Sequence, residues 1–485
     1  MWMALQGPAP ISFNPVGMLL EDWRAERAVT VPFPPGETRL SLHRTRRFAN
    51  DPCSLLVEGY QRYGPVFTLR IFHGNVVFMI GPEANHHVLV SHADDFTWRE
   101  GHMRDLIALL GDGLLTVDGE FHRRSRQIML PAFHRERIAA TVAAVNSEID
   151  GALDGWSEGM RLDLYGWTRR LALRVAMRAL FGVDPDGERA RKLDAAGLFE
   201  QALGFFARDY FLQVLRGPRT PWARMHAARR RLDWLIYSEI SRRRATGERS
   251  EDLLSLLLDA RDEDGTTLSD RHVRDEVMTL LFAGHDTTTS TVSFMFHELA
   301  GRPDVVAELA REQDERLGGR APTASQLTGP ELPVLEMVVD ETLRIYPPAW
   351  IGPRRARRDF EFAGVAVPGG AFVNYSSWAS HHLPDVFPEP EVFRPERFAP
   401  QAKAALPKGA YVPFGGGSRM CIGMRFGQME VRAIATAILS RFALELPADF
   451  SLQVRQMPTI GPRGGMPMIV RPRAPARAGA LAAAA

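Results

Sequence analysis

The run Phe414-Gly415-Gly416-Gly417-Ser418-Arg419-Met420-Cys421-Ile422-Gly423 sets one cysteine behind a glycine-rich turn and ahead of an apolar-periodic stretch, Met424 to Phe442. A sulfur near a helix N-terminus meets unpaired backbone N–H groups, which favour its anionic form. Glycines let the backbone pass close beneath something flat, and the guanidinium of Arg419 offers a fixed fork of donors to a carboxylate. Together these features describe an axial thiolate for haem iron, with Arg419 reaching a haem propionate. A lone cysteine after a turn is more often a buried structural thiol, so the reading depends on partners elsewhere in the chain.

Three further groupings supply them. Ala283-Gly284-His285-Asp286-Thr287-Thr288-Thr289 puts small residues, an acid and β-branched hydroxyls inside a helix, an unusual choice for a helix interior. Beside a haem thiolate it reads as an oxygen-binding groove, with Asp286 and Thr287 as a proton-delivery pair; Thr288 points about 100° away. His122 and Arg126 are four apart and share a helix face that fits the paired carboxylates of haem. Arg123 and Arg124 project elsewhere, toward an acidic electron donor. Glu341 and Arg344 are three apart, and Arg397 joins them as the third member of a structural, non-catalytic set. Neither His102 nor His134 lies at zinc-ligand spacing from His122, and His381-His382 fails the same test. No glycine-rich phosphate loop follows a strand, so no bound nicotinamide or flavin domain is expected.

The elements that must position these groups are mostly helices. Residues 1–44 are proline-rich without a sustained period and read as a lead-in strap. A helix over Asp51 to Tyr63 precedes a hairpin over Val66 to Ile80, turning at His73-Gly74-Asn75. Pro82 opens a short helix through Val90. Phe96 to Leu115 is irregular, with Phe96, Trp98 and Met103 looking exposed. Helices follow over Glu120 to Leu130, Arg135 to Leu153, Leu162 to Phe181 and Trp222 to Ala245, with an apolar segment from Ala190 to Leu215. A short leucine-rich helix from Asp252 leads to a very long one over His272 to Ala300, capped by Thr267 to Asp270. Val305 to Leu317 and Leu332 to Tyr346 continue it, with at most a short turn at Gln326-Leu327. Strand-like pieces lie over Phe360 to Val373, after which a proline-pinned meander leads to the cysteine loop. A minor sheet is expected near the start and another after the middle. The tail, 471–485, ends in alanines and is expected to be disordered.

Composition excludes several classes. With 59 basic and 58 acidic side chains the formal charge is +1, which gives no global preference for nucleic acid. Two cysteines in 485 residues make a disulfide framework implausible. No run approaches a membrane span and Met1 to Leu20 lacks a signal-peptide core, so a cytoplasmic protein without a membrane anchor is expected.

With these residues in place the chain resembles a cytochrome P450 over residues 45–470. The resemblance rests on Phe414, Gly417, Arg419, Cys421 and Gly423, on Ala283, Gly284, Asp286 and Thr287, and on Glu341, Arg344 and Arg397. His122, Arg126 and Arg354 match its propionate-contacting positions. It implies a mainly α fold, one large helical domain with small β-sheets, holding haem b between the long helix and the cysteine loop. It also implies a soluble bacterial monooxygenase that uses molecular oxygen and a ferredoxin or flavodoxin with its reductase. The His122-Arg123-Arg124 block and Pro131-Ala132-Phe133 resemble members acting on fatty acids or other lipids, hence an apolar substrate. Phe96, Trp98, Phe205, Phe206, Phe282, Trp350 and Ile351 are the candidate pocket wall. The rival class is a non-catalytic haem carrier or gas sensor, which would have no use for Asp286 and Thr287.

Overall fold

A computed structural model describes residues 8, 11–187, 194–206, 210–261, 265, 267–457 and 459–473. The fold is built on the helix Asp270–Ala300, whose 31 residues span about 46 Å. Ser269 caps it by accepting from the His272 N–H at 3.2 Å, and Gly301 ends it. Other helices surround it: Leu164–Val175, Pro333–Ile345 and Met424–Arg441 pack directly on it, and Arg135–Leu153 packs on the first and last of these. Because neighbours cover it on several sides, an apolar stripe is not needed. Acids and hydroxyls are buried along it, most of them with a partner of their own, while the Thr279 hydroxyl has none among the described residues.

The strands form one six-stranded sheet where two were expected. Its order is Gly36–Glu37, Val66–Ile71, Gly74–Met79, Phe372–Tyr375, Gly352–Ala356, Phe96–Thr97. Val76 to Met79 pair in parallel with Phe372 to Tyr375, which joins the early hairpin to the late strands. The hairpin turns one residue earlier than its sequence suggests: Ile71 pairs with Gly74, and Phe72 takes the left-handed conformation at φ 52°. A second sheet of three strands sets Pro467–Pro472 between Phe442–Glu445 and Arg161–Asp163.

Three segments depart from expectation. The lead-in contains a helix, Pro15–Ala28, capped by Asn14 and started by proline. It is inside-out: Asp22 is buried against Arg104 (2.9 Å), His73 (3.2 Å) and Arg355 (3.4 Å), while Val16, Leu19, Leu20 and Trp23 are exposed. The turn at Gln326-Leu327 is a short helix, Ala324–Thr328, with a capping box on Thr323. At the far end, Arg471 and Pro472 complete a strand, and Arg473 pairs with Asp314 at 2.7 Å; the rest of the tail lies outside the described residues. Within the apolar Ala190 to Leu215 segment the described helices are Ala195–Leu203 and Tyr210–Gln213. Among the described residues no helix is long and apolar enough to cross a membrane.

Candidate functional site

Gly417 shows why the cysteine loop needs glycine. Its φ is +61°, and a Cβ there would lie 2.1 Å from the Leu89 carbonyl oxygen. Gly415 is also left-handed at φ +69°, whereas Gly423, at φ −88°, has no such need. The turn brings the Cys421 N–H onto the Phe414 carbonyl at 2.9 Å and aims the sulfur into the protein. Cys421 keeps an uncovered face, yet burial pushes its thiol pKa up, against the pull of the Gly423 N–H and Arg126. Both facts hold if that face opens into an internal slot rather than onto the outer surface. The helix-start geometry expected to favour thiolate is therefore outweighed by desolvation in the protein alone.

The long helix has a matching bare patch. Ala283 is exposed and Gly284 and Thr287 are half-buried, while Leu281, Phe282, His285, Asp286 and Thr288 around them are buried. The Thr287 hydroxyl donates to the Ala283 carbonyl at 2.8 Å, so its lone pairs remain open to a donor in the slot. One helix position further on, Thr288 donates to Glu430 Oε2 at 2.9 Å. That bond joins the long helix to Met424–Arg441 about 9 Å beyond the start of the latter, tying the two bare surfaces together.

Basic groups gather at one edge. Helix Gly119–Met129 carries His122 and Arg126, the strand Gly352–Ala356 carries Arg354, and the cysteine loop carries Arg419. Burial, reinforced by Arg419 and Arg126, drives His122 down to about 3, so its imidazole is neutral. Burial lowers Arg419 to about 10 with help from Arg354 and Arg357, while Asp118 opposes. Arg126 and Arg354 have no carboxylate partner among the described residues. Asp118, which the sequence reading passed over, accepts from Arg419 (2.6 Å), Thr97 (2.5 Å) and the N–H groups of Trp98 (3.0 Å) and Arg99 (2.9 Å). Burial alone would raise its pKa, but these partners hold it below the usual carboxylate range. One acid against this many basic groups leaves positive charge to be neutralised, which suits a flat group with two carboxylates. The residues present thus fit haem b.

Asp286 lies 1% exposed on the flank of the bare patch. It pairs with Arg169 at 3.2 Å, accepts from Thr459 at 2.9 Å and lies within 3.5 Å of the Tyr165 hydroxyl and 4.0 Å of Arg455. Burial raises its pKa, but Arg169, His285 and Arg455 outweigh it and keep the carboxylate ionised. Glu430 is the reverse case: burial raises it to about 8, and only the Thr288 hydroxyl opposes.

Glu341 and Arg344 are fully buried and bidentate at 2.7 and 2.8 Å. Arg397 approaches Glu341 at 3.4 Å and donates to the Glu389 carbonyl at 2.9 Å. Arg344 also donates to the His381 carbonyl, and His381 Nε2 accepts the Val412 N–H at 2.9 Å, just ahead of the cysteine loop. Arg123 and Arg124 are both engaged by Glu120 on their own helix, so they present a partly neutralised face.

Phe96 separates from the other six residues of the expected pocket wall, which all lie in the main hydrophobic core. Phe96 and Trp98 are buried, contrary to their exposed look. Phe96 packs with His87 and Phe360 on the sheet, and Trp350 is a core residue whose indole donates to the Gln456 carbonyl at 2.7 Å. Phe205 and Phe206 are edge-on to each other, and Phe205 lies against Trp222. Phe282 and Ile351 are buried. A cavity of about 380 Å³, lined by Leu173, Phe199, Leu232, Val277 and Leu281 among others, contains none of these. Val277 and Leu281 precede Gly284 by seven and three residues, so they share its face of the helix one to two turns nearer the helix start.

The Cytochrome P450 family model matches residues 32–463, and the chain belongs to that family. It is a haem-thiolate monooxygenase with haem b as cofactor. It is similar to the cyclooctat-9-en-7-ol 5-monooxygenase of Streptomyces melanosporofaciens, 36% identical over 75% of this chain and 79% of the relative. It is also similar to the putative cytochrome P450 139 of Mycobacterium tuberculosis H37Rv, 32% identical over 92% of this chain and all of the relative. Among solved structures, retinoic acid-bound cyanobacterial CYP120A1 superimposes with a TM-score of 0.81 at 29% identity, covering 91% of this chain and all of that one. Membership decides against the haem carrier or sensor.

Proposed function

We propose that this monooxygenase oxidises an apolar, lipid-like molecule in the slot between Cys421 and the Ala283–Thr287 patch. Bound there, haem b supplies oxygen activation and transfer of one oxygen atom to carbon. Cys421 would hold it through sulfur, and His122, Arg126, Arg354 and Arg419 through its carboxylates. Thr287 would position a water with its open lone pairs, and ionised Asp286 would order the polar path in from Arg169 and Arg455. The observation that carries this reading is the bare strip of small residues ending in one hydroxyl, on a helix otherwise buried there. Such a wall excludes bulk water and binds by shape rather than charge.

Two similar proteins narrow the class. One is named for a cyclic alcohol, and the other was solved with retinoic acid. Both compounds are apolar, ring-bearing and carry one polar group, which favours a terpenoid over a straight-chain fatty acid. Electrons would come from a separate ferredoxin or flavodoxin with its reductase, in the cytoplasm. A binding screen of terpenoids, fatty acids, steroids and aromatics, read by the haem spectrum and followed by product analysis with a surrogate ferredoxin, tests this. Turnover of terpenoids above fatty acids supports it; exclusive turnover of fatty acids, or of a charged polar molecule, sinks it.

A further inference from the structure

His102 has no zinc-ligand spacing in the sequence, and the site described above makes no use of it. Its side chain is uncovered, and neither ring nitrogen has a hydrogen-bond partner among the described residues. Yet burial drives the imidazole down to about 3, with His73, Arg104 and Arg355 adding to it and Asp22 opposing. A group that is uncovered and still desolvated to that degree faces an internal space, as Cys421 does.

The loop around His102 is fixed on both sides. Before it, the N–H groups of Trp98 and Arg99 are held by Asp118, which also holds Arg419 of the cysteine loop. Gly101 packs on the strand Gly352–Ala356 so closely that a Cβ would lie 3.3 Å from the Arg354 nitrogen. After it, Arg104 is tied to Asp22 of Pro15–Ala28 at 2.9 Å. Three residues of chain reach at most about 10 Å, so His102 stays close to the elements that carry Arg354 and Arg419. Its ring lies on Phe372, with centroids 3.8 Å apart at 30°, which fixes the ring plane and leaves the nitrogens on the free edge. Arg104 and Arg355 both turn to Asp22, so neither acid nor arginines claim the imidazole.

We propose that His102 selects the substrate by its oxygen: the imidazole takes a hydroxyl or carbonyl group of the apolar molecule in the slot and so fixes which carbon faces the Ala283–Thr287 patch. This deepens, and rests on, the reading of the slot as a site for a ring-bearing molecule with one polar group. A neutral imidazole donates from one nitrogen and accepts at the other, which matches a hydroxyl. The desolvation that keeps a proton off the ring also counts against a carboxylate there. In an otherwise apolar pocket one such group discriminates well, because an analogue without the oxygen leaves it unpaired.

The probes are abietadienol, abietic acid and abietadiene, which share a ring system and carry a hydroxyl, a carboxyl or no oxygen. Titrated into the haem-loaded protein and read by the haem spectrum, the alcohol should bind about tenfold tighter than either of the others. With a surrogate ferredoxin it should be oxidised at one carbon. His102→Phe keeps a ring on Phe372 but removes both nitrogens; it should lose the preference and spread the oxidation over several carbons. His102→Gln returns a donor and an acceptor and should recover much of the preference, and His102→Leu repeats the comparison if the phenylalanine variant does not fold. Equal binding of alcohol and hydrocarbon by the wild type, or tightest binding of the acid, overturns the proposal. So does a His102→Phe protein that keeps the preference and instead loses haem faster, which would put the imidazole on a haem carboxylate. Turnover of all three probes with equal affinity leaves the terpenoid reading standing while this inference fails. If none of the three binds and a fatty acid is turned over, that reading fails and this inference falls with it. A thiolate-type carbon monoxide spectrum in every variant keeps both outcomes separate from failure of the haem reading itself.

Discussion

Arg419 donates to Asp118 at 2.6 Å and so ties the cysteine loop to the residue that begins the helix carrying His122 and Arg126. The pair spans the chain from one end of the site to the other. It also neutralises only part of the charge there, leaving Arg126 and Arg354, which with the neutral His122 would meet the carboxylates of haem.

Asp118→Asn should therefore loosen the loop rather than abolish the site. Arg419 would lose its ionic partner, and the N–H groups of Trp98 and Arg99 would keep only an amide oxygen. Truncating one member of a buried charged pair costs about 3–5 kcal/mol, much of it from the stranded partner. The expected result is faster haem loss to an apo-myoglobin acceptor with an unaltered thiolate spectrum. An unchanged haem dissociation rate would show the Arg419 tie to be dispensable.

Cys421→Ser should abolish the thiolate-type carbon monoxide spectrum of the reduced protein, and Cys53→Ser should leave it intact. Cys53 is buried at the start of Pro52–Tyr63, and burial pushes its thiol well up, out of reach of thiolate chemistry. Loss of the spectrum with Cys53→Ser would reverse the ligand assignment.

These tests bear mainly on what was legible in the sequence. The cysteine loop, the Ala283–Thr287 run and Glu341 with Arg344 could be read because each needs particular residue types at short spacing. Arg135–Leu153 matches its expected bounds for a similar reason, a local apolar period between clear stops. What could not be read was non-local. Nothing near Val76 announces that it will pair with Phe372, so one sheet looked like two. Pro15–Ala28 was missed because it buries an acid, Asp22, and exposes leucines, the reverse of the usual pattern. Phe96 is aromatic enough for a pocket, but its strand turns it to the other packing cluster.

Arg344→Ala should cost folded yield rather than alter the products. Its guanidinium is fully buried, engages Glu341 twice, and reaches the His381 carbonyl. Removing it strands Glu341 in the interior at about 3–5 kcal/mol, a large part of a typical total stability of about 5–15. A stable, haem-loaded variant with only a turnover defect would show that Arg344 acts in chemistry instead.

Acid should unlatch the same region through His381. Burial, with His382 and Arg344 adding to it, lowers this imidazole to about 3, and its Nε2 must stay unprotonated to accept from Val412. The unfolded chain titrates near 6.5. The folded state binds fewer protons, so this stability is complete above about 6.5 and is lost as pH falls toward 3, by about 1.4 kcal/mol per pH unit. Thermal melts from pH 7 to 4 should show a shallower slope for His381→Gln than for the wild type. Equal slopes would place the acid sensitivity elsewhere.

Thr287→Ala carries the most risk. Its hydroxyl stands at the edge of the bare patch, bonded to the Ala283 carbonyl with its lone pairs open. Losing it leaves Cys421, the basic cluster and most of the slot in place, so substrate binding and first reduction should survive. Water would no longer be held where protons are needed, and reduced oxygen should leave as hydrogen peroxide. Electron consumption then continues while product per electron falls sharply, since general acid–base steps of this kind are worth about 10²–10⁴-fold. Thr289→Ala is the control: that hydroxyl makes the equivalent bond to the His285 carbonyl at 2.7 Å, but the side chain is fully buried away from the slot. Uncoupling by Thr289→Ala and not by Thr287→Ala would mean that a different helix face serves the oxygen. Full coupling in both would remove this helix from proton delivery.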